Sequence, residues 1–163
     1  MPRKKGFDPE RALAKAMGVF WRLGYENAST ETLTKAMGIA RQSLYDTFGD
    51  KRALYLKALA YYRDRTNGDM QRMLEASPSV KEGFATLLFG LAAETREQHE
   101  RGCLLLSANL QRDTRDAVIA DFLRDNQDRV EAIFVEALRR ARRSGQGPRG
   151  DRACASGRNR HPA

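Results

Sequence analysis

Residues 29–51 read Ser29-Thr30-Glu31-Thr32-Leu33-Thr34-Lys35-Ala36-Met37-Gly38-Ile39-Ala40-Arg41-Gln42-Ser43-Leu44-Tyr45-Asp46-Thr47-Phe48-Gly49-Asp50-Lys51. Leu33, Ala36 and Met37 before Gly38, and Leu44 and Phe48 after it, fall at helical spacings, so two short helices are predicted around one turn. Glycine takes the left-handed conformation without a steric penalty, which suits it to the first position of that turn. Ile39 follows at once as an apolar anchor, and Leu33 and Leu44 lock the second helix across the first. Ser29 is placed to cap the first helix, Gly49 stops the second, and Asp50 can cap a third. These are the requirements of a helix-turn-helix, whose second helix keeps its outer side free for a major groove about 12 Å wide.

The flanking sequence extends the helical reading in both directions. Asp8-Pro9 is a helix start, with Leu13, Ala16, Met17, Phe20 and Leu23 as its apolar stripe and Gly24 as its end. Beyond Asp50 a long helix is predicted from about Lys51 to Glu75, carrying Leu54, Tyr55, Leu59, Tyr62, Met70 and Met73, with Gly68 as a weak point. Ser77-Pro78 precedes a capping box, Ser79-x-x-Glu82, and an apolar face of Phe84, Leu87, Leu88 and Leu91. Arg101-Gly102 breaks the pattern before a short apolar helix, Cys103 to Leu110. Asp113 is the expected opener of a last helix carrying Val118, Ile119, Phe122, Val130, Ile133, Phe134, Ala137 and Leu138. No alternating pattern competes, and the fold class is all-α.

Composition narrows the function. The chain of 163 residues carries a net charge of +8, of which residues 1–52 hold +4, residues 53–138 hold −3 and residues 139–163 hold +7. The high isoelectric point is therefore mostly a property of the last stretch, whereas the +4 coincides with the helix-turn-helix. No run approaches the ~20 apolar residues of a membrane span, and the basic start leads into no apolar signal core, so no membrane and a cytoplasmic setting are expected. Two cysteines in different regions, Cys103 and Cys154, form neither a disulfide framework nor a metal spacing, and Cys103 is expected to be buried. His99 and His161 are the only histidines. With no phosphate-binding glycine loop and no paired acids on a stripe, the chain is not read as an enzyme, and no cofactor is expected.

The run Phe20…Gly24-Tyr25…Ser29-Thr30-x-x-Leu33-x-x-Ala36-Met37-Gly38-Ile39-Ala40-x-x-Ser43-Leu44-Tyr45-x-x-Phe48-Gly49-Asp50-Lys51-x-x-Leu54 resembles the tetracycline-repressor-like (TetR-type) family of bacterial transcriptional regulators. Arg101-Gly102-Cys103-Leu104 is similar to one branch of it. Two departures stand out. Ala40 lies where the family usually places a capping serine, and Thr34 replaces a usual alanine.

The resemblance implies a DNA-binding unit over residues 1–52, a helical regulatory and dimerisation body over 53–144, and a disordered basic tail over 145–163. It implies that Ser29 and Thr30 approach a phosphate and that Arg41, Gln42 and Ser43 face base edges, Arg41 suiting guanine and Gln42 adenine. Tyr45 and Lys51 would contact phosphates. Asp46 would select a cytosine amine or orient Arg41, and Thr47 would touch a methyl group or phosphate. Arg3, Lys4 and Lys5 are read as a disordered start or a salt-sensitive arm. The body would bind an unidentified small-molecule effector, with Tyr62, Met73, Phe84, Phe89 and Phe122 as lining candidates, and would pair two copies into a homodimer on double-stranded operator DNA. The family continues with two further helices, so the Gly/Pro/Arg-rich tail is expected to mark truncation at the C-terminus or a reading-frame change; the alternative is a native basic tail. The competing function is a helical interaction or dimerisation module with impaired DNA binding.

Overall fold

The computed structural model describes residues 6–93, 102–110 and 116–145, which form seven helices and, among the described residues, no strand. They are α1 (Pro9–Asn27), α2 (Thr30–Met37), α3 (Arg41–Phe48), α4 (Lys51–Ala76), α5 (Val80–Ala92), α6 (Leu104–Leu110) and α7 (Ala117–Arg143). The all-α reading holds. The basic start, His99, Asp113 and almost all of the predicted tail, including Cys154 and His161, lie outside the described residues.

Side-chain caps account for most of the helix starts. The Asp8 carboxylate accepts from the Glu10 N–H at 2.9 Å, the Ser29 hydroxyl from Thr32 N–H at 3.0 Å, and the Asp50 carboxylate from Ala53 N–H at 2.7 Å. Each bond satisfies a donor that the first helical turn leaves without a backbone partner. The Ser79 hydroxyl likewise accepts from Glu82 N–H, but the Glu82 carboxylate takes the Ser79 hydroxyl rather than its backbone N–H, so the capping box is half formed. Asp116 caps α7, accepting from Val118 N–H at 3.0 Å.

Several sequence expectations are corrected. The buried side of α1 is Ala12, Ala16, Val19 and Phe20, and Leu23 is 41% exposed. Ala16 and Phe20 belong to the predicted stripe, and Leu13 and Met17 pack against the core as partly buried residues, so Leu23 is the one member that departs. Gly24 does leave the helical conformation, at φ 74°, yet the chain regains helix to Asn27. Gly68 leaves α4 unbroken. Cys103 is exposed rather than buried, and so are Leu88, Val118 and Leu138, on sides of α5 and α7 turned away from the core.

The core begins under the N-terminal helices and continues without a break into the body. Phe20, Leu33, Leu44, Leu54, Tyr55 and Leu59 are all fully buried, and the Phe20 and Tyr25 rings lie 4.8 and 4.9 Å from that of Tyr55. The same cluster takes in Leu104, Leu105, Ile119 and Leu123 from α6 and α7. Among the described residues, polar contacts tie α1 and α4 to the segments that lead into α6 and α7. The Trp21 indole N–H donates to the Gly102 carbonyl at 3.0 Å, and Arg52 near the start of α4 pairs with Asp116. Within the body the Asn67 amide donates to Asn126, a buried polar residue, at 3.1 Å, and the Phe84 and Phe134 rings stack at 5.3 Å. No helix among the described residues is long and apolar enough to cross a membrane, and no cluster of metal-ligating side chains occurs among them.

Candidate nucleic-acid interface

The turn between α2 and α3 is set by Gly38, at φ 72° and ψ 35°. The N–H groups of Gly38 and Ile39 both donate to the Thr34 carbonyl, at 2.9 and 3.2 Å, closing α2. The Thr34 hydroxyl turns back on its own helix, to the Thr30 and Glu31 carbonyls. Leu44 and Phe48 are buried on the inner side of α3, which leaves Arg41, Gln42, Tyr45 and Asp46 exposed on the outer side; Ser43 and Thr47 lie at its half-buried edges. The helical period places these residues so: 41, 42, 45 and 46 share one face, opposite 44 and 48.

Ala40 makes no side-chain cap, so the first N–H groups of α3 have no side-chain acceptor in front of them, and the first turn holds no acidic residue. That end of α3 is electrostatically positive and open. The lack of a cap costs local helix stability of ~1 kcal/mol relative to serine.

The exposed side chains are organised in pairs one turn apart. An Arg41 guanidinium N–H donates to the Tyr45 hydroxyl at 3.3 Å, and the guanidinium carbon sits 5.8 Å from the ring centroid. Arg41, first by this hydrogen bond and then by its charge, holds the Tyr45 phenol below its ordinary range. Thr30, at the start of α2, lies beside the phenol and favours its ionised form to a smaller extent. Thr30, Arg41 and Tyr45 thus meet at one corner, with Tyr45 40% exposed. The Gln42 amide donates to the Asp46 carboxylate at 2.8 Å, so Asp46 orients Gln42 and not Arg41.

Two predicted contact residues are occupied within the protein. The Ser29 hydroxyl caps α2 and lies 2.9 Å from that of Thr32. The Lys51 ammonium donates to the Glu26 carbonyl at 3.2 Å and sits 4.6 Å from the Tyr25 ring centroid, closing the end of α1. Burial, with Asp50 and Glu26 nearby, pushes the Tyr25 phenol up. Sequence reading missed Lys57, whose ammonium closes the end of α3 on the Phe48 carbonyl at 3.1 Å. Its spacing from Phe48 gives no signal until α4 is placed against α3.

The five effector candidates lie on α4, α5 and α7. Tyr62 meets Trp21 edge-on, Phe84 stacks on Phe134, Phe122 lies under Arg63, Met73 is half-buried, and Phe89 is 73% exposed. An open apolar groove of about 500 Å³ lies instead between α6 and α7, lined in part by Leu105, Leu106, Leu123, Val130 and Phe134.

Comparison with known proteins bears on the whole arrangement. Residues 12–58 match the family model described as bacterial regulatory proteins, tetR family. YezE of Bacillus subtilis (strain 168), an uncharacterized HTH-type transcriptional regulator, is 34% identical over 147 residues, covering 90% of this chain and 76% of that protein. The HTH-type transcriptional repressor ComR of Escherichia coli (strain K12) is 29% identical over 150 residues, covering 90% and 70%. Among solved structures, a cysteine mutant of the TetR family transcriptional regulator CifR, complexed with 26-bp double-strand operator DNA, superposes with a TM-score of 0.79. It is 36% identical, covering 91% of this chain and 78% of that one. A second cysteine mutant of CifR, also with 26-bp operator DNA, gives a TM-score of 0.76 at 37% identity, covering 88% and 75%.

Proposed function

The chain belongs to the tetR family of bacterial regulatory proteins, and from that membership we propose that it is a ligand-responsive transcriptional repressor, binding a palindromic operator as a homodimer in the cytoplasm. The observation that carries this reading is the outer face of α3, where Arg41, Gln42, Tyr45 and Asp46 are exposed while Leu44 and Phe48 hold the helix from behind. Arg41 and Gln42 are assigned to base edges, with Ser43 beside them. Tyr45, Thr30, Ser29, Thr47 and Lys51 are assigned to the backbone, Lys51 by swinging off the Glu26 carbonyl. The uncapped start of α3 offers further donors.

The DNA-binding unit proposed for residues 1–52 takes its last core residues, Leu54, Tyr55, Ala58 and Leu59, from α4. That helix runs on into the body assigned to residues 53–144, where the effector is proposed to bind. An effector that prefers one body conformation would shift the spacing of the two heads through α4 and the Trp21 and Arg52 contacts. The protein is assigned no catalytic role. The interaction-module alternative is not favoured, because operator-bound regulators are the structures this chain resembles.

The test is equilibrium binding to duplexes from the chain's own upstream region over a salt series. Specific binding with a steep salt dependence is expected. Equal affinity for all duplexes would overturn the reading.

A further inference from the structure

The contact between Gln42 and Asp46 has a consequence for which base is read. A free glutamine amide presents a carbonyl oxygen or an N–H₂ group with equal ease, because half a turn about its last torsion exchanges them. A carboxylate only accepts, so a glutamine that bonds Asp46 must turn its nitrogen toward it, as Nε2 does at 2.8 Å. The oxygen, Oε1, is then directed away from the carboxylate as an acceptor. Asp46 makes no ion pair among the described residues, since the neighbouring guanidinium of Arg41 is engaged with Tyr45. In water such an exposed pair is weak, but closing a duplex over the face removes solvent and strengthens it.

We infer that Asp46 is a positioning residue that sets base preference by locking Gln42 to present its acceptor. This rests on the reading that α3 enters a major groove. In that groove adenine and cytosine offer an exocyclic amine, N6–H or N4–H, whereas guanine and thymine offer the acceptors O6 and O4. A locked Gln42 accepts from the amine and meets the carbonyls with its own oxygen, so the position it faces holds adenine or cytosine. An unlocked one turns over and accepts either class.

The experiment is selection from a randomised duplex library by the full chain, followed by affinity measurement on the selected site and its single-base variants. The wild type should select adenine or cytosine at one position per half-site, disfavouring guanine and thymine there by roughly 5- to 150-fold. Asp46→Asn offers an oxygen or an N–H₂ group with equal ease, so the Gln42 amide is no longer held one way round and presents either end; discrimination at that position should collapse while the remaining positions keep theirs. Gln42→Ala should remove discrimination at the same position. Both residues are on the exposed face of α3, and unchanged helical circular dichroism checks that the variants fold.

Asp46→Asn with undiminished discrimination overturns the lock and leaves DNA binding standing. Discrimination lost in Asp46→Asn but kept in Gln42→Ala also overturns it, since Asp46 would then read a cytosine amine itself. A wild-type preference for guanine or thymine at the position contacted by Gln42 overturns it as well. If no sequence is selected at all, the operator-binding reading falls and takes the lock with it.

Discussion

Gly38 and Gly18 offer one substitution at two sites that differ only in backbone conformation. A methyl group added at Gly38 would meet nothing nearer than the Lys15 ammonium at 4.0 Å, and one added at Gly18 would meet nothing within 4 Å. Sterics with neighbours are therefore removed from the comparison. Gly38 holds φ 72°, a left-handed conformation that costs an L-residue roughly 1–2 kcal/mol. Alanine also narrows the unfolded ensemble, which offsets about 0.4–1 kcal/mol of that. Gly38→Ala should thus destabilise by about 1 kcal/mol. Gly18 is inside α1 with helical torsions, where alanine should stabilise by roughly 0.5–1 kcal/mol. The two variants then differ by about 2 kcal/mol, or roughly 4–8 °C between their thermal midpoints for a chain of this size. Gly38→Asn should lose less than Gly38→Ala, since asparagine tolerates the left-handed region. Thermal and urea unfolding followed by circular dichroism reads all three. Midpoints that move in the same direction for Gly18→Ala and Gly38→Ala would refute the claim that the turn's conformation, and not its packing, requires glycine.

Leu33→Ala removes a fully buried side chain where α2 meets the N-terminal core, and should cost ~2–5 kcal/mol in urea unfolding; a loss under 1 kcal/mol would contradict the packing. Arg52, by its hydrogen bond, holds the Asp116 carboxyl below its ordinary range, with the N–H groups of Ile119 and Val118 adding to the effect. A carboxyl lowered by folding stabilises above its unfolded value and loses that contribution as pH falls through the folded one. Asp116→Asn, which keeps the helix cap, should therefore lower the urea midpoint at neutral pH and converge with wild type in acid, below the ordinary carboxylate value; a gap that stays constant with pH would contradict the pair. Arg41→Ala should relax preference at one base position by ~1–3 kcal/mol. Lys51→Ala should weaken all sequences alike and reduce the salt slope by about one, both read by fluorescence anisotropy.

The helix-turn-helix was legible because its signals are local. Ser29, Gly38 and Asp50 each act within one turn of their position, and the spacing of Leu33, Leu44 and Phe48 leaves α2 and α3 one register. The pairs on α3 were also within reach, since residues 41 and 45, and 42 and 46, are one turn apart; charge alone suggested Arg41 for Asp46, but the aromatic hydroxyl of Tyr45 holds the guanidinium instead. Longer-range features were not legible. The burial of Ala12 and Val19, and the exposure of Leu23, depend on which helices pack around α1, which its own periodicity does not state. Arg52 and Asp116, or Trp21 and Gly102, become neighbours only when α6 and α7 fold back against the head, and no spacing encodes that. The effector candidates were chosen for chemistry without geometry, and the fold spends Tyr62 and Phe84 on ring contacts with Trp21 and Phe134.

Chemical protection of guanine N7 on an operator duplex tests most directly whether α3 reads the major groove. The account predicts two clusters of protected guanines on one face of the helix, separated by one or more turns of about 10–10.5 bp, with one guanine in each cluster deprotected by Arg41→Ala. Bound duplex whose N7 atoms react as freely as naked DNA would contradict it.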